Sequence, residues 1–138
     1  IIYDTINQGY TLFIEDDPKW IDANQHIKNI FYYKYSTKTE TSLPIHILKL
    51  KQTKIPEIIN QTPWDIILVD GPNGNSSQRP GRSLPIFWTS QIKKQDTTLI
   101  FDDVSRIVEK TYIQTFIDEK NYHVVIFPQR LGMKAFVP

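Results

Sequence analysis

The apolar residues of the chain change their spacing along its length, from short continuous runs to helical repeats. The continuous runs are rich in β-branched and aromatic residues and predict six strands, at residues 10–15, 29–35, 64–69, 97–102, 122–127 and 134–137. Runs of this kind are typical of strands that are covered on both faces. Helices are predicted between them, from Pro18 to about Gln25, from Pro56 to Gln61, and over residues 83–94 and 105–118, the last with Ser105 as its cap. Residues 38–53 are equally compatible with a surface loop.

Strands and helices alternate in this prediction, which indicates a mostly parallel sheet with helices on both faces. The last two strands should instead pair antiparallel, because residues 128–133 are too few for a crossover helix. The chain therefore fits a single α/β domain of the Rossmann-like class. Residues 1–7 are predicted to end a helix near Gly9. No Gly-x-Gly-x-x-Gly motif occurs, so we expect the first strand and the glycine-rich cofactor loop to lie outside the sequence.

Composition excludes several classes of function. The 138 residues carry 16 Lys and Arg against 15 Asp and Glu, a formal net charge of +1, which gives no electrostatic basis for binding nucleic acid. The absence of cysteine excludes disulfides, a thiol nucleophile and a cysteine-ligated zinc site. No run reaches the roughly 18 apolar residues that a transmembrane helix needs, so no membrane segment is predicted within these residues.

Acidic residues follow three of the predicted strands. They are Glu15, Asp16 and Asp17 after the first run, Asp70 after the third, and Asp102 with Asp103 after the fourth. Any one of them could simply cap the next helix. Ligands of open α/β sheets bind beyond the carboxyl ends of the strands. Three acidic strand ends at one edge require a cation, a ligand or a shared proton, because like charges repel one another.

Two segments carry more specific predictions. A carboxylate that ends the second strand of a Rossmann-like sheet can accept both hydroxyls of a ribose, which is the role predicted for Glu15. Asp16 and Asp17 are more simply explained as residues that cap and solvate the next helix. The polar loop 70–82 ends in Pro80, Gly81 and Arg82 and begins a helix. A guanidinium near a helix N-terminus suits a carboxylate or phosphate ligand.

Several segments, in order, resemble the plant-type polysaccharide-biosynthesis methyltransferases, which include the glucuronoxylan 4-O-methyltransferases. These segments are TLFIEDDPKW at 11–20, YST at 35–37, WDIILVDGP at 64–72, PGR at 80–82 with Ile86 and Phe87, DVSRIVEK at 103–110 and FVP at 136–138. Each is short, but their order and spacing together are specific. The sequence departs from the family at Asp102, where the family has His, and it lacks the cysteine-bearing insertion of plant members between residues 50 and 62.

The resemblance implies a fold and an activity. The fold is that of S-adenosyl-L-methionine-dependent methyltransferases, whose last two strands are antiparallel. The activity is transfer of a methyl group to a sugar hydroxyl of a glycan, such as the 4-hydroxyl of a glucuronic acid residue, and the plant members imply residence in the Golgi. The alternative is a non-catalytic partner in polysaccharide biosynthesis that retains the fold, which the Asp102 departure leaves open.

The resemblance and the residue chemistry together assign roles to eight residues. Three carboxylates are candidates for accepting the acceptor proton, namely Asp103, Asp70 and Asp102. The candidate cofactor contacts are Glu15, Asp16 and Asp70, and the candidate substrate contacts are Arg82, Arg106 and Gly81. A divalent cation is a further hypothesis, with Asp70, Asp102 and Asp103 as its ligands, because hard oxygen donors suit magnesium, calcium or manganese.

Overall fold

A computed structural model describes residues 7–39, 43–128 and 131–138. Within these ranges the strands are β1 (Phe13–Glu15), β2 (Ile30–Tyr32), β3 (Ile66–Val69), β4 (Thr98–Asp102), β5 (His123–Phe127) and β6 (Met133–Val137). The helices are α1 (Pro18–Ala23), α2 (Leu43–Gln52), α3 (Glu57–Asn60), α4 (Ser83–Ile92) and α5 (Ile107–Phe116), with a 3₁₀ turn at Glu119–Asn121. The chain divides into two compact units, residues 1–36 and 37–138.

The first unit contains β1, α1 and β2. The two strands pair in parallel, with Glu15 opposite Tyr32 at the carboxyl end of the pair. The helix begins directly after β1 because Asp17 caps it, accepting a hydrogen bond from the backbone N–H of Lys19 at 2.9 Å. Pro18 at the first helical position needs no hydrogen-bond partner for a backbone N–H, which suits the start of a helix. Glu15 is thereby placed between a strand and a helix N-terminus.

The second unit contains a four-stranded sheet in the order β3-β4-β6-β5. β3 and β4 are parallel, and β6 runs antiparallel to both of its neighbours. The predicted antiparallel pairing of the last two strands is therefore confirmed. Val69 lies opposite Phe101 at the end of the parallel pair, so the residues that follow, Asp70 and Asp102, leave the sheet side by side. The sheet thus combines parallel and antiparallel strands in a mixed α/β unit.

The core of this unit lies between the central strands and helices α4 and α5. The alternate β4 residues Leu99 and Phe101 are fully buried, and so is Phe136 of β6, whose ring meets that of Phe101 edge to face at 5.6 Å. The two helices pack through the rings of Phe87 and Phe116, 5.3 Å apart. Each such aromatic side chain contributes about 2–3 kcal/mol by burial, which fixes the helices against the sheet. This packing also holds the turns that connect the strands to the helices.

Several predictions from the sequence require correction. Residues 43–52 form a helix, so a surface loop does not describe that part of the interval. Ser105 does not cap the helix that follows; Arg106 occupies the N-cap position, without a side-chain cap bond, and Ser105 donates its backbone N–H to Leu131. The strands are also shorter than the apolar runs. A strand extends only as far as its backbone pairs with a neighbouring strand, and β1 and β2 pair over three residues only.

The prediction that the strands are covered on both faces requires correction, most clearly for β3 and β5. β3 exposes 61% of Ile66 and 38% of Leu68, and β5 exposes Ile126 and Phe127. Both are edge strands of the sheet, and continuous apolar runs do not distinguish an edge strand from a central one. The predicted helix end at residues 1–7 lies almost wholly outside the described residues. In the part of the chain that the structure describes, no helix has the length and apolarity to span a bilayer.

Candidate functional site

The buried guanidinium of Arg82 joins the ends of β3 and β4. Its side chain is 5% exposed, and Arg82 occupies the N-cap position of α4, as the sequence predicted. Nη1 donates to the carbonyl oxygen of Asp102 at 2.7 Å. Nη2 donates to the carbonyl oxygen of Asp70 at 2.6 Å and to Oδ1 of the same residue at 3.1 Å. Because the guanidinium contacts the ends of both strands, Arg82 fixes the spacing of the two strands at this edge.

Asp103 lies between two guanidiniums. Its Oδ2 is 2.9 Å from Nη2 of Arg82 and 2.8 Å from Nη2 of Arg106. The backbone of Asp103 has a φ of 56°, in the left-handed region, which costs a non-glycine residue about 1 kcal/mol or more. The two ion pairs compensate for that cost and turn the carboxylate inward. We call Asp70, Arg82, Asp102, Asp103 and Arg106 the strand-end cluster.

Within the strand-end cluster, Asp70 is the carboxylate that faces solvent. Its side chain is 66% exposed, against 21% for Asp102 and 13% for Asp103. The pKa of Asp70 is raised above its ordinary value, chiefly by partial burial and by a hydrogen bond with the Asp102 side chain; the charge of Arg82 lowers it, whereas those of Asp102 and Asp103 raise it. An exposed carboxylate with a raised pKa at a strand end has the properties of a general base.

The structure separates the predicted roles of the other two carboxylates. Asp103 uses its Oδ2 for both ion pairs, so its carboxylate positions the guanidiniums. Asp102 supplies its carbonyl oxygen to Arg82 and its side chain to the hydrogen bond with Asp70. A direct proton-accepting role for Asp103 or Asp102 stays a prediction, and the geometry favours Asp70.

The arginines do not present free guanidiniums to solvent. Arg82 directs its contacts towards the strand ends, which favours a positioning role over the predicted contact with an anionic acceptor. Arg106 is 25% exposed and pairs with Asp103. Contact between either arginine and a substrate stays a prediction.

Gly81 is required by close packing in the loop that precedes α4. Its φ is +66°, and a Cβ there would stand 2.6 Å from Cγ2 of Thr39. Its backbone N–H donates to the carbonyl oxygen of Asn73 at 3.1 Å, which closes the loop on itself. Thr39 also ties the loop, because its hydroxyl donates to the carbonyl oxygen of Ser76 at 2.6 Å. Gly81 therefore has a structural reason to be glycine, and its predicted contact with substrate stays a prediction.

The strand-end cluster does not fit a divalent cation. Among the described residues, no group of three or more His, Cys, Asp or Glu side chains is placed to hold a metal ion. Nη2 of Arg82 instead lies within 3.8 Å of carboxylate oxygens of Asp70, Asp102 and Asp103. A guanidinium already supplies the positive charge that three neighbouring carboxylates require, so the metal hypothesis from the sequence is not supported.

In the first unit, Glu15 is held in a defined orientation. Its Oε1 accepts the backbone N–H groups of Asp16 and Asp17, both at 2.9 Å. Tyr35 is half-buried nearby; loss of hydration there raises the pKa of its hydroxyl, and the charges of Asp16 and Glu15 add to that effect. Asp17 is the residue that caps α1, whereas Asp16 was predicted to share that task. Since both backbone bonds reach one oxygen of Glu15, Oε2 is the oxygen available to a ligand.

The sequence analysis missed a buried carboxyl close to the strand-end cluster. Glu109 lies in the first turn of α5 and is 1% exposed. The helical spacing of the sequence indicated its burial. Glu109 lies three and four residues before the buried Tyr112 and Ile113, which places it on the apolar face of that helix. A charged residue within an apolar stripe is informative, because charged side chains are rarely buried without a compensating partner.

Several known proteins are similar in sequence to this chain over most of its length. It is 30% identical to Arabinogalactan O-methyltransferase 2 of Arabidopsis thaliana over 141 residues, covering 81% of this chain and 48% of that protein. It is 26% identical to Glucuronoxylan 4-O-methyltransferase 2 of the same plant over 136 residues, covering 79% and 46%. With Protein IRX15-LIKE, also of Arabidopsis, the identity is 24% over 151 residues, covering 88% and 48%.

The chain spans about half the length of these curated relatives. No solved structure matches it significantly. The model of the family described as IRX15/IRX15L/GXM matches residues 34–126, which include the strand-end cluster, α5 and most of the second unit. The match covers more than half of the chain and agrees with the motifs found in the sequence, so the chain belongs to the IRX15/IRX15L/GXM family.

Proposed function

We propose that this chain belongs to an S-adenosylmethionine-dependent O-methyltransferase that acts on a sugar hydroxyl of a glycan. The observation that carries the proposal is Asp70, an exposed carboxylate of raised pKa that the buried Arg82 holds at the end of a parallel strand pair. Several members of the family are named as O-methyltransferases of arabinogalactan or glucuronoxylan, which supports the same class of reaction here.

The strand arrangement supports a Rossmann-like methyltransferase fold. β6 is inserted antiparallel between β4 and β5, while β3 and β4 are parallel. An antiparallel final pair on an otherwise parallel sheet is the feature that the resemblance to this family implies. The parallel pairing of β1 with β2 in the first unit is of the same type. The fold is compatible with the proposed reaction, and the site residues carry the functional argument, since one fold hosts many activities.

Glu15 fits the cofactor role that the sequence predicted for it. Two backbone amides fix one oxygen of its carboxylate, so the other oxygen is oriented in advance, and a preorganised acceptor loses little entropy on binding. We propose that Glu15 accepts hydrogen bonds from the ribose hydroxyls of S-adenosylmethionine. When bound, that cofactor supplies a methyl group already activated on a sulfonium.

The residues of the chain have two tasks in this reaction. Asp70 accepts the proton of the acceptor hydroxyl at one of its carboxylate oxygens, and its raised pKa strengthens it as a base. Arg82 holds Asp70 through the backbone carbonyl and Oδ1, so the base is oriented before the acceptor arrives. Positioning of this kind accounts for much of the rate when the transferred group is already activated.

The acceptor is proposed by class. Relatives are named for arabinogalactan and for the 4-position of glucuronoxylan, so polysaccharides that carry glucuronic acid are the first acceptors to test. The 4-hydroxyl of a glucuronic acid residue is the specific proposal.

The test uses the full-length protein with S-adenosylmethionine labelled in its methyl group, and glucuronoxylan or arabinogalactan as acceptor. We expect labelled polysaccharide from the wild type and a roughly hundredfold or greater loss of rate in Asp70→Asn. Asp96→Asn is the matched control, because Asp96 is exposed and precedes β4 at the opposite end of the strand. Equal rates in the two variants would refute the role of Asp70.

The same experiment decides between transfer and a non-catalytic role. Protein IRX15-LIKE and Protein IRREGULAR XYLEM 15, two relatives at 24% identity, carry names that state no reaction. A protein of that kind would keep the fold and lack transfer. Absence of cofactor binding at millimolar concentration, measured by calorimetry, together with absence of labelled polysaccharide, would favour the non-catalytic partner.

A further inference from the structure

Glu109 presents an unpartnered carboxyl inside the second unit. Neither of its side-chain oxygens has a hydrogen-bond partner among the described residues, although the residue is 1% exposed. Burial raises the pKa of this carboxyl; its own backbone amide and the charges of Arg82 and Arg106 lower it, and Asp103 raises it further. A buried carboxyl is costly unless nearby groups compensate for its lost hydration.

The compensating groups are the unused edges of the two guanidiniums. Nε of Arg82 and Nη1 of Arg106 are buried, and neither has a hydrogen-bond partner in the part of the chain that the structure describes. The strand-end carboxylates use the other nitrogens of both side chains. These two buried nitrogens belong to positively charged side chains and lack acceptors. They interact electrostatically with the Glu109 carboxylate, whose oxygens lack donors.

The backbone of the preceding loop encloses Glu109. A Cβ on Gly74 would stand 3.2 Å from Oε1 of Glu109 and 3.1 Å from Cα of Gly81. The loop thus crosses itself directly over the carboxyl, and two glycines allow that close approach. In this closed environment Arg82 and Arg106 are the groups of opposite charge that act on the Glu109 carboxyl.

We infer that Glu109 is a positioning residue of this site, whose buried negative charge acts on the guanidiniums of Arg82 and Arg106 from the side that the strand ends do not use. Arg82 contacts the carbonyl and the carboxylate of Asp70, so the orientation of Asp70 depends on Glu109 through Arg82. The part of the inference that concerns methyl transfer rests on the proposed function. The coupling between Glu109 and Asp70 does not depend on that function and can be measured without it.

The test compares Glu109→Gln with the wild type in two measurements. In the transfer assay we expect kcat to fall roughly ten- to a hundredfold with little change in KM, as for misplaced catalytic groups. The acid limb of the kcat profile should move to higher pH, because a displaced Arg82 no longer lowers the pKa of Asp70. In the second measurement, the side-chain carboxyl of Asp70 is titrated by ¹³C NMR, which should show the same upward shift.

Glu57→Gln is the matched control, since Glu57 is exposed on α3 and the substitution makes the same change of charge. Unchanged kcat and an unchanged Asp70 titration in Glu109→Gln would overturn the inference. If the wild type neither binds cofactor nor transfers methyl, the proposed function fails, and the NMR titration still decides the coupling. If Glu109→Gln does not unfold cooperatively, the same measurements are made on Glu109→Met, which removes the charge and keeps a side chain of similar length.

Discussion

Removal of the Arg82 guanidinium is the most severe single change that the geometry of the strand-end cluster predicts. The side chain is 5% exposed and its end nitrogens contact two backbone carbonyls and the carboxylates of Asp70 and Asp103. In Arg82→Met these acceptors lose their donor and the carboxylates repel one another without compensation. Breaking a buried ion pair on one side costs about 3–5 kcal/mol, so the free energy of unfolding should fall by about that amount.

The variant Arg82→Lys tests the charge of this side chain separately from the shape of its guanidinium. An ammonium keeps the positive charge but cannot contact two strand ends at once with the planar geometry of a guanidinium. We therefore expect a smaller loss, about 2 kcal/mol, the value of one or two hydrogen bonds to charged groups. Turnover should also fall in Arg82→Lys, because Asp70 is no longer oriented, whereas cofactor affinity should change little.

The assay is urea unfolding followed by circular dichroism. With a slope of about 2 kcal/mol per molar urea, Arg82→Met should lower the midpoint by about 2 M and Arg82→Lys by about 1 M. Arg79→Met provides the matched control, because Arg79 is an exposed residue of the same loop. A midpoint for Arg82→Met equal to that of Arg79→Met would show that the guanidinium does not hold the strand ends.

Three further predictions test separate parts of the molecule. Glu15→Ala should weaken S-adenosylmethionine binding by about 1.5–3 kcal/mol in calorimetry, whereas Asp22→Ala, at an exposed position of α1, should leave it unchanged. Gly81→Ala should lower the free energy of unfolding by about 1–3 kcal/mol, because its φ is +66°, while Gly71→Ala, where an added Cβ meets nothing within 4 Å, should have little effect. The raised pKa of Asp70 disfavours its charged form in the folded state, so Asp70→Asn should gain stability relative to the wild type as pH rises through the folded pKa of Asp70, and the gain should vanish below its ordinary pKa.

The acidic strand ends could be predicted from the sequence because they depend on local pattern. An apolar run that ends in Asp70, and another that ends in Asp102, place both residues at strand ends whatever the rest of the fold does. Parallel pairing then brings the two together, as the register of β3 with β4 shows. The insertion of β6 between β4 and β5 was not predictable in the same way, since strand order depends on packing between distant segments.

The direction of the Arg82 side chain could not be predicted from local pattern. The sequence placed Arg82 correctly at the start of a helix, where an anionic ligand is a reasonable expectation. Its contacts with Asp70 and Asp102 depend on how α4 sits against two strand ends that lie 12 and 20 residues away. The acids that suggested a cation site are thus the same acids that bind the arginine, which is why the metal hypothesis was plausible and why the structure does not support it.

The departure at Asp102 is compatible with the rest of the site. Where the resemblance leads us to expect His, this chain has a carboxylate that shares a hydrogen bond with Asp70 and raises the pKa of Asp70 by that bond and by its charge. A neutral imidazole would contribute no such charge. The substitution therefore adds negative potential beside the exposed carboxylate, and Arg82, with Nη2 3.8 Å from Oδ2 of Asp102, limits the resulting repulsion. In this chain the proton-accepting strength proposed for Asp70 is set by its partial burial, by the neighbouring carboxylates of Asp102 and Asp103, and by the opposing charge of the buried Arg82.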